Sequence, residues 1–257
     1  MATILLGTVA IEPNRWAAVD PSWAPTVSVA DVLDRVQAAG FDGLELWEGH
    51  AVRVAAAEVG AIIAHPLPVT VFNSYVGFDD ADATARTDAA DWVRRLGCCA
   101  VKYNVGDQAD QADAYAARIA AWIEQLPDVR LLCECHEGIS IAEDPAVAAD
   151  LFDRAGPPER VQAIVHLGED RDLTVRRFDH YGDRITHVHV NFLGQGAPPL
   201  SQITDQVQAR ADLLRSRGFD GTWTIEFTHG VGSDDDRLEP LLESAVADLA
   251  VLREVVG

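Results

Sequence analysis

VRLLCECHEG, residues 129–138, is apolar for five of its first seven positions and then turns to Glu134 and His136. Successive side chains of an extended strand point to opposite faces, so Glu134 and His136 share one face and Cys133 and Cys135 the other. Three later runs repeat the design. VQAIVHLGED (161–170) ends in His166, ITHVHVNFLG (185–194) carries His187 and His189, and TWTIEFTHG (222–230) reaches Glu226. Each places a metal-ligating or proton-handling group at the C-terminal end of an apolar strand. If the strands are parallel and close into a barrel, those groups converge on one mouth, where carboxylates and imidazoles make a metal site.

The remainder of the chain supplies the repeats that such a barrel needs. TILLGTVAI (3–11), DGLELW (42–47), LPVTVFNSY (67–75) and CCAVKYNVG (98–106) are four further short apolar runs. Between most runs lie Ala-rich segments of helical period, such as 27–40, 81–97, 114–126 and 206–218. In the first of these, Val29, Val32, Leu33 and Val36 form one stripe, and Gly40 ends it as left-handed caps do; Gly218 does the same further on. Residues 172–183 allow a short helix at best, and 237–256 predict a long amphipathic closing helix. With 257 residues, no linker and no compositional break, the expectation is one α/β domain over 1–257, a single (β/α)8 barrel.

Parity extends the inward set. Lys102 and Asn104 share a face, as do Glu45 and Trp47, His187, His189 and Asn191, and Thr224, Glu226 and Thr228. The outer face of a barrel strand meets the helices and must be apolar, so charged groups belong on the inner face near the open end.

Composition narrows the function classes. Forty-one acidic against 20 basic residues give a formal charge of −21. Phosphate backbones need a positive surface, so no nucleic-acid partner is expected, and anionic membranes are disfavoured for the same reason. The first strand lacks a basic leader and a cleavage site, and no apolar stretch spans a bilayer, so a cytoplasmic protein is expected. The four cysteines, Cys98, Cys99, Cys133 and Cys135, lack the repeated CxxC spacing of structural zinc sites and are expected to be buried free thiols.

At these residues the chain resembles the xylose-isomerase-like TIM barrels, which include sugar isomerases, sugar epimerases and endonuclease-IV-like enzymes. GFDGLELWEGH (40–50) is similar to the second-strand pattern, whose acidic residue and downstream histidine face the site; these are Glu45 and His50 here. LLCECHEG, ITHVHVN and GTWTIEF resemble the fifth, seventh and eighth patterns, which makes Glu134, His189 and Glu226 metal ligands by resemblance. The sixth strand departs: His166 stands where the family carries Asp, and Glu169 where it carries His. Either His166 is the fourth ligand or the metal site is altered. The first reading implies one divalent ion bound by Glu134, His166, His189 and Glu226, with Mn, Co, Zn or Fe favoured over Mg by the added nitrogen.

The resemblance implies a metal-dependent isomerase or epimerase of a small sugar, polyol or keto-sugar. Glu134 or Glu226 would remove the proton, and His136 would orient Glu134 or protonate the substrate, with a plain core role as its alternative. Glu45, Trp47, His50 and Lys102 are the expected substrate contacts. Against that, Lys102 would be a structural partner of the interior carboxylates, His50 an ordinary loop histidine, and Trp47, Phe72 and Trp16 loop packing rather than a wall against sugar carbons. Other readings are a lyase or dehydratase, including one that cleaves a glycosidic bond of an oxidised sugar, a repair endonuclease, and a non-catalytic carbohydrate-binding subunit. Homo-oligomers are common in the resembling family.

Overall fold

A computed structural model describes residues 1–136, 138–192 and 195–257. Eight parallel strands, β1 (Ile4–Gly7), β2 (Gly43–Trp47), β3 (Val69–Asn73), β4 (Ala100–Tyr103), β5 (Arg130–Glu134), β6 (Val161–His166), β7 (Ile185–Val190) and β8 (Thr222–Ile225), pair in sequence order. β8 pairs with β1, so the sheet closes into a (β/α)8 barrel. Helices α1 (Leu33–Ala39), α2 (Gly49–Val52), α3 (Ala56–Ala64), α4 (Ala83–Leu96), α5 (Ala112–Gln125), α6 (Pro145–Ala155), α7 (Arg171–Tyr181), α8 (Thr204–Ser216) and α9 (Leu238–Val256) form the outer layer.

Two apolar layers hold it together. The large one lies between strands and helices and takes Cys133, Val165 and Val188 from the outward faces of their strands. The small one plugs the barrel interior with Leu5, Val71, Ala100, Leu132 and Ile164. Two residues further along the same faces stand Asn73, Lys102, Glu134 and His166, because strand side chains repeat every second position. One period thus builds an apolar floor and a polar layer above it, at the C-terminal ends where barrel sites form.

Two local expectations are corrected. Residues 171–181 form a full helix, α7, because Asp170 caps it by accepting from the backbone N–H of Asp172 and Leu173 at 3.0 Å each. Cys98, Cys133 and Cys135 are buried free thiols, but Cys99 is exposed, since the adjacent pair precedes β4 and points its members to opposite sides. Gly40, at φ 98°, caps α1 as expected, and Gly218, at φ 87°, follows α8. Among the described residues no helix is long and apolar enough to cross a membrane.

Candidate metal centre

Glu134, His166, His189 and Glu226 come together at the mouth, each offering one donor atom within 4.8 Å of the others. Glu134 Oε1 lies 3.3 Å from His166 Nε2 and 3.5 Å from His189 Nδ1. Glu226 Oε1 lies 3.2 Å from His189 Nδ1, and its Oε2 3.7 Å from His166 Nε2. Bonds of 2.0–2.2 Å to one tetrahedral cation separate its ligands by about 3.4 Å. The four contacts scatter around that value.

His189 carries the strongest sign of fit. It is fully buried, and its Nδ1, though near two carboxylates, makes no directed hydrogen bond. Its Nε2 donates to Glu45 at 3.0 Å. That bond commits Nε2 to donating, so Nδ1, facing the cluster, is the nitrogen that can exchange its proton for a cation, the arrangement of a metal-binding imidazole backed by a carboxylate. Glu45 also accepts from His187 Nε2 at 2.9 Å and from Asn73 Nδ2 at 2.7 Å, and His187 Nδ1 meets the Thr222 hydroxyl. The triplet Glu45, His187 and His189 is thus a sealed hydrogen-bonded support. Replacing Glu45 by glutamine is expected to weaken divalent-cation binding by about 10–100-fold, measured by calorimetric titration of the two proteins.

Charge explains why a cation suits the cluster. Burial opposes ionisation of Glu134, but Lys102, His166 and His189 outweigh it and hold its carboxyl well below the usual range. Burial likewise opposes a charge on His189, but Glu226, Glu45 and Glu134 hold its imidazole well above the ordinary value. Glu45 is held well below its usual range by His189 and His187 against the same opposition. Three buried carboxylates therefore face Lys102 and protonated His189, leaving one negative charge over. Exchange of the His189 proton for a divalent cation neutralises that excess.

Lys102 is almost wholly buried and donates to Glu134 Oε2 at 2.6 Å. Its ammonium also sits 4.5 Å from the Tyr75 ring centroid. It occupies one oxygen of Glu134 and leaves Oε1 turned to the cluster. Of the two expectations for Lys102, substrate contact and structural partner of the interior carboxylates, this bond to Glu134 fits the second. Glu45, also expected as a substrate contact, lies one layer below the mouth and is engaged by His187 and His189.

His50 and Trp47, the other two expected substrate contacts, are both buried. His50 is sealed between Thr8 and Glu12, with Nδ1 3.0 Å from the Thr8 hydroxyl and Nε2 3.1 Å from Glu12 Oε2. Trp47 is 2% exposed and lies against Gly49, where a Cβ would fall 2.3 Å from the ring. Neither lines the mouth. Phe72 is buried away from it, whereas Trp16 does line it. His136 is exposed on the mouth wall, its ring centroid 6.3 Å from that of His166.

Glu12 accepts from the backbone N–H of Asn14, Thr26 and Val27. Burial pushes its carboxyl up, but His50, Thr26 and Asn14 together bring it from 4.5 down to about 2. A depressed folded-state value stabilises the fold above the unfolded value and is lost as pH falls through the folded one. Glu12→Gln should therefore destabilise most above about pH 4.5, with the gap to the parent protein closing towards about pH 2. Urea unfolding of both proteins across that range reads this directly.

Some residues at the site went unrecognised from sequence. Tyr75, Ile139, Gln195 and Phe227 line the mouth, a cavity of about 590 Å³. A side cavity of about 240 Å³ continues past His136 and His166 to Glu169 and Arg177. Arg177 donates to the Cys135 carbonyl at 2.7 Å and lies 3.6 Å from Glu169, so the substituted sixth-strand position is answered by an arginine from α7. Only the recognition that 171–181 is a full helix would have brought Arg177 there.

No protein-family model matches the chain, and no curated protein does. Solved structures match across its whole length. The probable 3-DHS dehydratase AsbF from Bacillus anthracis is 15% identical over 98% of both chains, with a TM-score of 0.66. The IolI protein, solved with a bound zinc atom, is 12% identical over all of this chain and 98% of its own, at 0.65. A xylose isomerase-like TIM barrel/4-hydroxyphenylpyruvate dioxygenase fusion protein is 17% identical over 99% of this chain and 44% of its own, at 0.60. The fold, a (β/α)8 barrel, is shared with these structures, one of them described as xylose isomerase-like.

Proposed function

We propose that the chain is a divalent-cation-dependent isomerase or epimerase of a small sugar, polyol or keto-sugar, with Glu134, His166, His189 and Glu226 as the ligands. The observation that carries this reading is the set of four donors gathered around one point, with His189 Nδ1 left without a hydrogen bond. Support comes from similar structures described as a sugar phosphate isomerase/epimerase and as a zinc-binding protein. The ion would be Mn, Co, Zn or Fe in preference to Mg, because two of the donors are imidazoles.

A bound cation supplies Lewis-acid polarisation of the substrate carbonyl. The protein's own groups do the rest. Glu134 has one oxygen taken by Lys102 and is a fixed ligand. Glu226 stands at the mouth with Oε2 accepting from Asn191 at 3.1 Å, and it is the better-placed acceptor for a proton from the carbon next to the carbonyl. His136, on the same wall, gives a proton to the carbonyl oxygen, producing the enediol. Return of the proton from Glu226 to the neighbouring carbon, while His136 takes the hydroxyl proton, gives the isomer; the epimer would need Glu134 to act as a second acid on the opposite face of the original carbon, with His136 taking back the proton it gave. Glu45 and His187 hold His189 in its tautomer throughout.

A second reading is favoured by one observation: the departure at His166 and Glu169, alongside a similar structure described as a probable dehydratase. The same enediol would then expel a group from the next carbon. Incubation of ketoses, inositol derivatives and 3-keto-glycosides with the Mn²⁺-loaded protein in D₂O tests both. Deuterium entering recovered substrate or its isomer supports proton abstraction. An unsaturated product or a released alcohol supports the lyase, and no exchange with any of them counts against the proposal.

A further inference from the structure

The geometry points to a two-part substrate: a sugar or keto-sugar ring at the carboxylates, joined to an aromatic ring seated on Trp16. This rests on the reading of the site given above and extends it to the class of molecule accepted. At water's share of about 30 Å³, the 590 Å³ mouth has room for roughly twenty heavy atoms, against about a dozen in a hexose. Trp16, Tyr75, Ile139 and Phe227 line the same concavity as the ligands. Trp16, Tyr75 and Ile139 are 38%, 48% and 53% exposed, unusual for large apolar side chains grouped in one concavity. Trp16, Tyr75 and Phe227 give this concavity three aromatic side chains, whose flat faces suit stacking by a further aromatic ring.

The platform is held in place. The Trp16 and Phe227 rings sit 5.5 Å apart at 48°, and Phe227 directly follows the ligand Glu226. Behind Trp16, the Arg15 guanidinium lies 5.4 Å from its ring centroid. Arg15 is itself fully buried, paired with Asp236 at 2.9 Å and bonded to the carbonyls of Val9 and Ala10. On the other side, Asn14 Oδ1 accepts from the backbone N–H of Val19 and Asp20, and Ala17 is held at φ 54°, a left-handed conformation costly for a residue with a Cβ. A loop so tightly fixed presents Trp16 in one position, which is what stacking on a flat ring requires.

Calorimetric titration of the full chain, with and without one equivalent of Mn²⁺, tests this using phenyl and methyl β-glycosides of glucose, galactose and xylose. At least one phenyl glycoside should bind about tenfold more tightly than its methyl partner. Trp16→Ala should bring that ratio close to one, Trp16→Phe should keep most of it, and Ile139→Ser, on a different loop, should reduce it. The inference is overturned if no phenyl glycoside outbinds its methyl partner, if cellobiose binds as tightly as phenyl glucoside, or if the advantage survives in both Trp16→Ala and Ile139→Ser. Mn²⁺ binding in the same titrations keeps the two ideas apart. Mn²⁺ uptake without a phenyl advantage sinks only the platform, and a phenyl advantage without Mn²⁺ uptake sinks only the metal-dependent reaction.

Discussion

Glu226→Gln is expected to lower turnover of the isomerised substrate by about 10²–10⁴-fold, the contribution of one acid–base group. It should also weaken cation binding by removing a charged donor. Its fold should survive, because glutamine keeps the size of the side chain and His189 keeps its bond to Glu45. Steady-state kinetics at saturating Mn²⁺, together with a cation titration, separate the two effects. A variant with full turnover would remove Glu226 from the chemistry. Glu134→Gln tests the same cluster less cleanly, because it also strands the buried Lys102.

Lys102→Met should have the largest effect on stability. Lys102 is the cation that offsets Glu134 in the absence of metal, with the pair buried and 2.6 Å apart. Removing one partner of a buried pair leaves the other uncompensated and costs about 3–5 kcal/mol. At about 2–4 °C per kcal/mol for a chain of this size, the metal-free variant should melt roughly 6–20 °C lower. A divalent cation offers Glu134 a new partner, so Mn²⁺ should raise the melting temperature of the variant more than that of the parent protein. A purely structural Lys102–Glu134 pair predicts the same initial loss and no recovery with cation. Thermal unfolding of both proteins, with and without Mn²⁺, distinguishes the two.

Parity was the part of the site legible in the sequence. It places Glu134, His166, His189 and Glu226 on inward faces at strand ends, and these four do gather. Depth was not legible, because parity selects a face and register selects a height. Glu45 pairs in register with Val71, a residue of the apolar floor, so it lies one layer under the mouth and reaches His189 rather than substrate. The placement of His50 was illegible for a different reason: the short helix α2 turns it back onto Thr8 and Glu12, and nothing in the strand pattern encodes that reversal. Tyr75, Ile139 and Phe227 come from the loops after their strands, where no period constrains direction. The fold was more legible than the site because an apolar run followed by an amphipathic stripe recurs along the chain, and each repeat constrains the next.

Anomalous scattering from crystals grown with Mn²⁺ or Zn²⁺ tests the central assignment most directly. The expected result is one stoichiometric peak about 2.0–2.2 Å from Glu134 Oε1, His166 Nε2, His189 Nδ1 and a Glu226 oxygen, with Lys102 still on Glu134 Oε2. Crystals that take up the ion elsewhere, or leave the four side chains bonded to one another with no peak between them, would contradict it.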